Sequence, residues 1–181
     1  GDRLGLHEFH ATFATVACAT TQLPLLIGEG IAEEKLVHIP NGVPVDELER
    51  HAGGGAARAR LGIPEDAQVL MHVGVFRAEK NQIGSLEIAE RLRERLPELR
   101  LVFVGDGPLQ SEVERRAREM GADWALFLGV REDVPDLLPL ADLMILPSLS
   151  DAMPMTVLAA MAAVLSVEPS AATITWRRPA G

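Results

Sequence analysis

The sequence predicts an α/β fold, a Rossmann-like parallel sheet flanked by helices. Three observations point to it. Strand-like and helix-like segments alternate along most of the chain. The strand-like runs in the second half are almost continuously apolar, as expected of strands buried on both faces. Glycine- and proline-containing turns punctuate the runs.

Taken in order, Thr12 to Ala19 is rich in small and β-branched residues and reads as a strand. Gln22 to Glu29 reads as a short helix interrupted by Pro24, and Leu36 to Ile39 as a short strand ended by Pro40-Asn41-Gly42. Residues 40–66 read as linker and loop, with Gly53-Gly54-Gly55 flexible and Ala56 to Leu61 a helical turn. Val69 to Val73 is a buried-type strand closed by Gly74. Ile83 to Leu96 is an amphipathic helix with Leu86, Ala89, Leu92 and Leu96 on one face. Leu101 to Val104 is a strand closed by Gly105-Asp106-Gly107-Pro108, and Pro108 opens a helix that stops at Gly121. Ala125 to Leu128 and Leu143 to Leu146 are strands, with a short helix from Val134 to Leu138 between them. Pro154 to Val164 is the last helix, and residues 165–181 show neither period and read as an irregular tail. In such sheets ligands sit beyond the carboxyl ends of the strands, so the loops after Val73, Val104, Leu128 and Leu146 are the ones to watch.

Composition excludes several functions. The chain has 181 residues, 48% hydrophobic and 24% charged, ordinary for a globular domain. A formal charge of −9, no tyrosine and no long basic stripe argue against nucleic-acid binding. No run approaches the ~20 apolar residues of a membrane span. With the single cysteine, Cys18, no internal disulfide is possible, which fits a reducing, cytoplasmic setting. Cys18 lies in the run Val16-Ala17-Cys18-Ala19 and reads as a small buried hydrophobe. His7 and His10 stand three apart without further clustered ligands, so no metal site is expected. The chain opens Gly1-Asp2-Arg3 without methionine, as expected of a fragment or processed product.

Five segments carry a resemblance: His38 to Val43, His72-Val73-Gly74 through Glu79-Lys80-Asn81-Gln82, Val104 to Pro108, Phe127-Leu128-Gly129 with Asp133-Val134, and Leu146 to Pro154 with Ala160 to Ala163. In this order they resemble the hinge, phosphate-side loop, Gly-Asp-Gly-Pro turn, base-side loop and donor-binding segment of the retaining glycosyltransferases of group 1. The resemblance implies the second half of a GT-B fold, incomplete here. Residues 1–38 would be the last strand and helix of the acceptor domain, 39–164 the nucleotide-sugar-binding domain and 165–181 the tail. Most of the acceptor domain would be missing from this chain.

The resemblance also assigns roles. Lys80 would contact the donor's diphosphate; the alternative is a solvated lysine that starts a helix. The family usually has arginine where Val75 stands, and Arg77 could replace it if the strand continues that far. Gly105 and Gly107 would let the backbone approach the ligand, or simply make a tight turn. Arg131 by its backbone and Asp133 by its side chain would contact the base. Asp151 would lie near the donor sugar as the candidate catalytic residue, or cap a helix. The backbone N–H groups of Met155 and Thr156 would face a phosphate. A family glutamate that holds the ribose is replaced by Ala159.

These roles imply glycosyl transfer from a nucleoside diphosphate sugar, a substrate rather than a cofactor, with no metal required. Two other readings remain: a non-catalytic or degenerate nucleotide-binding module, and a nucleotide-sugar epimerase on the same fold. The uncovered sheet edge expected after Ala163 implies marginal stability.

Overall fold

A computed structural model of the chain describes residues 14–50, 55–163, 166–168 and 173–176. His7, His10, Thr12, Phe13, Gly53, Gly54, Val164 and Leu165 lie outside the described residues. The chain divides into two compact units. One takes residues 1–42 with Ala152–Met155, the other residues 43–151 with 156–181.

In the first unit, β1 (Thr15–Ala17) and β2 (Leu36–His38) pair in parallel, joined through α1 (Leu23–Gly28). A 3-10 turn precedes α1, and Pro24 sits within the helix's first turn, where its missing N–H costs nothing. Cys18 is half-buried rather than fully buried. The Gln22 carboxamide oxygen accepts from its backbone N–H at 3.0 Å and from its thiol at 3.3 Å. The local turn, rather than apolar packing, decides its surroundings. In the same unit Asn41 donates from Nδ2 to the carbonyl oxygen of Met153 at 3.0 Å.

The second unit begins with α2 (Val45–Arg50), where loop was expected, and α3 (Gly55–Arg60), where a helical turn over Ala56 to Leu61 was expected. Leu48 and Ala57 explain the helices, since both are buried in the core and must satisfy their backbone while buried. Next come β3 (Val69–Val73), α4 (Gln82–Arg93), β4 (Arg100–Val104), α5 (Gln110–Glu119) and β5 (Ala125–Phe127). They are followed by α6 (Val134–Leu137), β6 (Leu143–Leu146), α7 (Met155–Ala162), β7 (Ser166–Glu168) and β8 (Thr173–Trp176). No described helix is long and apolar enough to cross a membrane.

The sheet runs in the order β5-β4-β3-β6-β8-β7. β5, β4, β3 and β6 are parallel, with Leu70 opposite Leu101 and Leu143. Strand alternation divides the core in two. Val69, Met71, Val73, Val102, Val104 and Met144 pack in one cluster with Leu137, Leu138 and Ala160. Leu70, Leu101, Phe103 and Ile145 pack in another with Leu86 and Ala89 of α4 and Val113 and Ala117 of α5. Both faces are covered, as continuous apolar strands require.

Two expectations need correction. The tail is not wholly irregular. β8 pairs antiparallel with β6, Leu146 opposite Thr173 and Leu143 opposite Trp176, and β7 pairs antiparallel with β8. The edge of β6 is therefore paired rather than uncovered. The physical reason is that an exposed ladder of N–H and C=O groups recruits whatever β-prone chain follows. Second, β3 stops at Val73, so alternation does not carry Arg77 to the side that an arginine at Val75 would take.

Candidate functional site

The sheet's topology selects one crevice. From β3 the chain adds β4 and then β5 on one side, then crosses to place β6 on the other. The loops after β3 and β6 therefore diverge at a switch point, where open α/β sheets accept ligands.

Loops on one side of this point are bonded backbone to backbone. Gly74 N–H donates to Val104 C=O at 2.9 Å, Phe76 N–H to Asp106 C=O at 2.7 Å, and Gly105 N–H to Gly129 C=O at 2.7 Å. Gly105 has φ +124°, and a Cβ on it would meet the Gly74 carbonyl oxygen at 2.3 Å. Gly107 has φ +152°, and its Cβ would meet the Phe76 carbonyl oxygen at 2.6 Å. Both glycines thus let one loop lie on another. Phe76 anchors this layer, almost fully buried, 5.7 Å from the Phe103 ring and 6.3 Å from that of Phe127. The buried Gln82 donates to the Val75 carbonyl oxygen at 2.9 Å.

Across the switch point, Leu149 N–H donates to Glu79 C=O at 2.7 Å and Asn81 Nδ2 to Pro147 C=O at 3.2 Å. Asn81 adopts the left-handed conformation, φ +54°, and its Oδ1 caps α4 by accepting from Gly84 N–H at 3.1 Å. This fixes the turn that presents Lys80, whose ammonium pairs with the Asp151 carboxylate. Both side chains are largely shielded from solvent, at 25% and 19% exposure, so the pair is less screened than a surface one. Lys80 and Asp151 stand 71 residues apart in the sequence, and the fold joins them.

The other candidates have partners or places of their own. Arg77 is exposed in the loop after β3. Arg131 and Asp133 bond each other through two contacts, at 2.7 and 2.6 Å, and these hydrogen bonds hold the Asp133 carboxyl below the usual carboxylate range. That carboxylate is engaged by its neighbour. Met155 and Thr156 open α7, Met155 exposed and belonging to the first unit's segment, Thr156 to the second unit. Ala159 packs against the core cluster. Among the described residues no cluster of three or more metal-ligating side chains forms.

The sequence places His72 in the phosphate-side segment but assigns it no role of its own. It is 1% exposed, its Nδ1 lies 2.8 Å from Ser85 Oγ, and burial, with the charge of Lys80, pushes its pKa down to about 3. The signal was a lone ionisable residue inside the apolar run Leu70 to Val73.

Residues 55–167 match the family described as glycosyl transferases group 1. The chain belongs to this family. As a glycosyl transferase group 1 chain it is 35% identical, over 175 residues, to EpsF of Bacillus subtilis (strain 168), covering 91% of this chain and 45% of that protein. It is 31% identical over 131 residues to the UDP-Gal:alpha-D-GlcNAc-diphosphoundecaprenol alpha-1,3-galactosyltransferase of Escherichia coli, covering 70% of this chain and 34% of that enzyme. The fold also matches Anabaena Alr3699/HepE, crystallised in complex with UDP and glucose. There the TM-score is 0.72 and the identity 21%, over 84% of this chain and 42% of HepE. This fold is part of the GT-B arrangement. The chain spans less than half the length of the relatives it matches.

Proposed function

We propose that the chain is the donor-binding half of a retaining glycosyltransferase that transfers a sugar from a nucleoside diphosphate to an acceptor. The observation that carries this reading is the meeting of Lys80 and Asp151 at the switch point between β3 and β6. Breaking a glycosidic bond to a diphosphate leaves the bonding electron pair, and so a further negative charge, on a group that is already anionic. Fixed cations and oriented N–H groups stabilise such charge as it develops. Lys80 supplies the cation and Thr156 an N–H at the start of α7, without a metal or cofactor. Asp151 faces the donor sugar once the diphosphate has drawn Lys80 away from it. Family membership and the UDP complex of a structural neighbour support the nucleotide-sugar donor. Residues 1–38 would close the acceptor-side domain, and base contacts would fall to the Arg131–Asp133 loop. The single half-buried Cys18 fits work in the cytoplasm.

A second reading, nucleotide binding without transfer, is favoured by Ala159, a methyl group packed on the core where relatives are expected to hold the ribose. Ala159→Glu tests whether the ribose lies there. Tighter binding of UDP, GDP or ADP by this variant supports a ribose contact at that position. Unchanged affinity for all three rules it out.

A further inference from the structure

Resting on the donor-site reading above, we propose that His72 is a phosphate-binding residue, its Nε2–H donating to a diphosphate oxygen lodged over Gly74 beside Lys80. The ring is 1% exposed, and its Nδ1 is occupied by Ser85 Oγ at 2.8 Å. Its Nε2, also buried, has no hydrogen-bond partner among the described residues. That nitrogen lies beside Gly74. A Cβ built on Gly74 would lie 3.7 Å from Nε2 and 3.9 Å from the Cδ of Lys80. The missing side chain of Gly74 therefore keeps open a small space with an unpaired ring nitrogen on one side and the diphosphate lysine on another. A buried polar nitrogen without a partner is costly, and an arriving phosphate oxygen offsets that cost. In the facing loop after β6 the buried Oγ of Ser148 is likewise unpaired among the described residues.

The proton inventory agrees. The ring is neutral near pH 7 and carries one proton. The Ser85 hydroxyl can rotate to donate to Nδ1, which places that proton on Nε2 and makes it a donor. A neutral donor sits beside Lys80 without like-charge repulsion, whereas an imidazolium there would oppose it.

Asparagine and glutamine at this position separate the two nitrogens. H72N puts an amide where Nδ1 was and keeps a partner for Ser85, while H72Q puts an amide where Nε2 was. G74A fills the space itself, and its Cβ would make only ordinary contacts, so the fold tolerates it. Calorimetric titration with UDP and with inorganic pyrophosphate, alongside a melting curve for each variant, reads the result. The proposal expects H72N and G74A to melt cooperatively but bind both probes about tenfold or more weakly, and H72Q to stay within about threefold of wild type. If H72N or G74A binds as wild type while K80M is weakened, His72 is structural only and the donor site stands. If wild type binds neither UDP nor pyrophosphate, the donor-site reading falls and this proposal with it.

Discussion

A Cβ on Gly105 would lie 2.3 Å from the Gly74 carbonyl oxygen, at a φ of +124° that side chains rarely adopt. Gly105→Ala is therefore expected to cost about 3 kcal/mol or more, from backbone strain and a backbone clash together. Urea unfolding measures it, with Gly28→Ala, where a Cβ meets nothing within 4 Å, as the comparison. The glycine turn was legible in the text; which backbone lies against it was not, since that depends on the loop after β3. His72 gives a pH prediction. Its folded pKa of about 3 lies below the ordinary value of 6.5, so between these pH values the unfolded chain holds the extra proton. Stability from this site is complete above pH 6.5 and is lost as pH falls toward 3, at up to about 1.4 kcal/mol per pH unit. Urea midpoints of wild type and H72Q at pH 7.5, 6 and 5 should converge as pH falls. Parallel pH dependence in the two would show that His72 titrates normally.

At the scale of elements, Arg58 of α3 ties together the amino ends of two strands. It donates to the carbonyl oxygens of Ala67 and Leu140 at 2.8 and 2.9 Å and pairs with Asp142 at 2.8 Å, while Asp142 also accepts from Val69 N–H. Arg58→Met takes this donor from the Ala67 and Leu140 carbonyls and leaves the Asp142 carboxylate with Val69 N–H but without its counter-ion, and it is expected to destabilise the chain by about 2–4 kcal/mol without changing diphosphate affinity. Because Val69 begins β3 and Asp142 precedes β6, this network lies at the opposite rim from Lys80. A large loss of UDP affinity in a folded R58M would contradict that separation. The parallel strands and α4 to α7 were legible because their apolar spacing is local, and β3 and β6 were read with the observed bounds. α3 was legible only as a helical turn, and α2, β7 and β8 were not legible. Leu48 and Ala57 are too sparse to show a period, and the pairing of β8 is created by a partner strand, not by its own text.

For the whole molecule, the informative fact is that Lys80 and Asp151 come from loops on either side of the point where strand order reverses. Family text named both residues, but not that they pair with each other, nor that Asp133 is engaged by Arg131. The pair gives Lys80 a resident counter-ion, which on the proposed function a diphosphate would have to displace. Asp151→Asn should therefore tighten UDP binding severalfold, since the lysine is freed, whereas loss of Lys80 should weaken it. The most direct measurement is calorimetric titration of UDP, GDP and ADP into wild type and Lys80→Met. At least one of the three should bind wild type, with a loss of about tenfold or more in the variant. Equal affinity in the two proteins, or no heat with any nucleotide, would contradict a pyrophosphate cradle at this rim of the sheet.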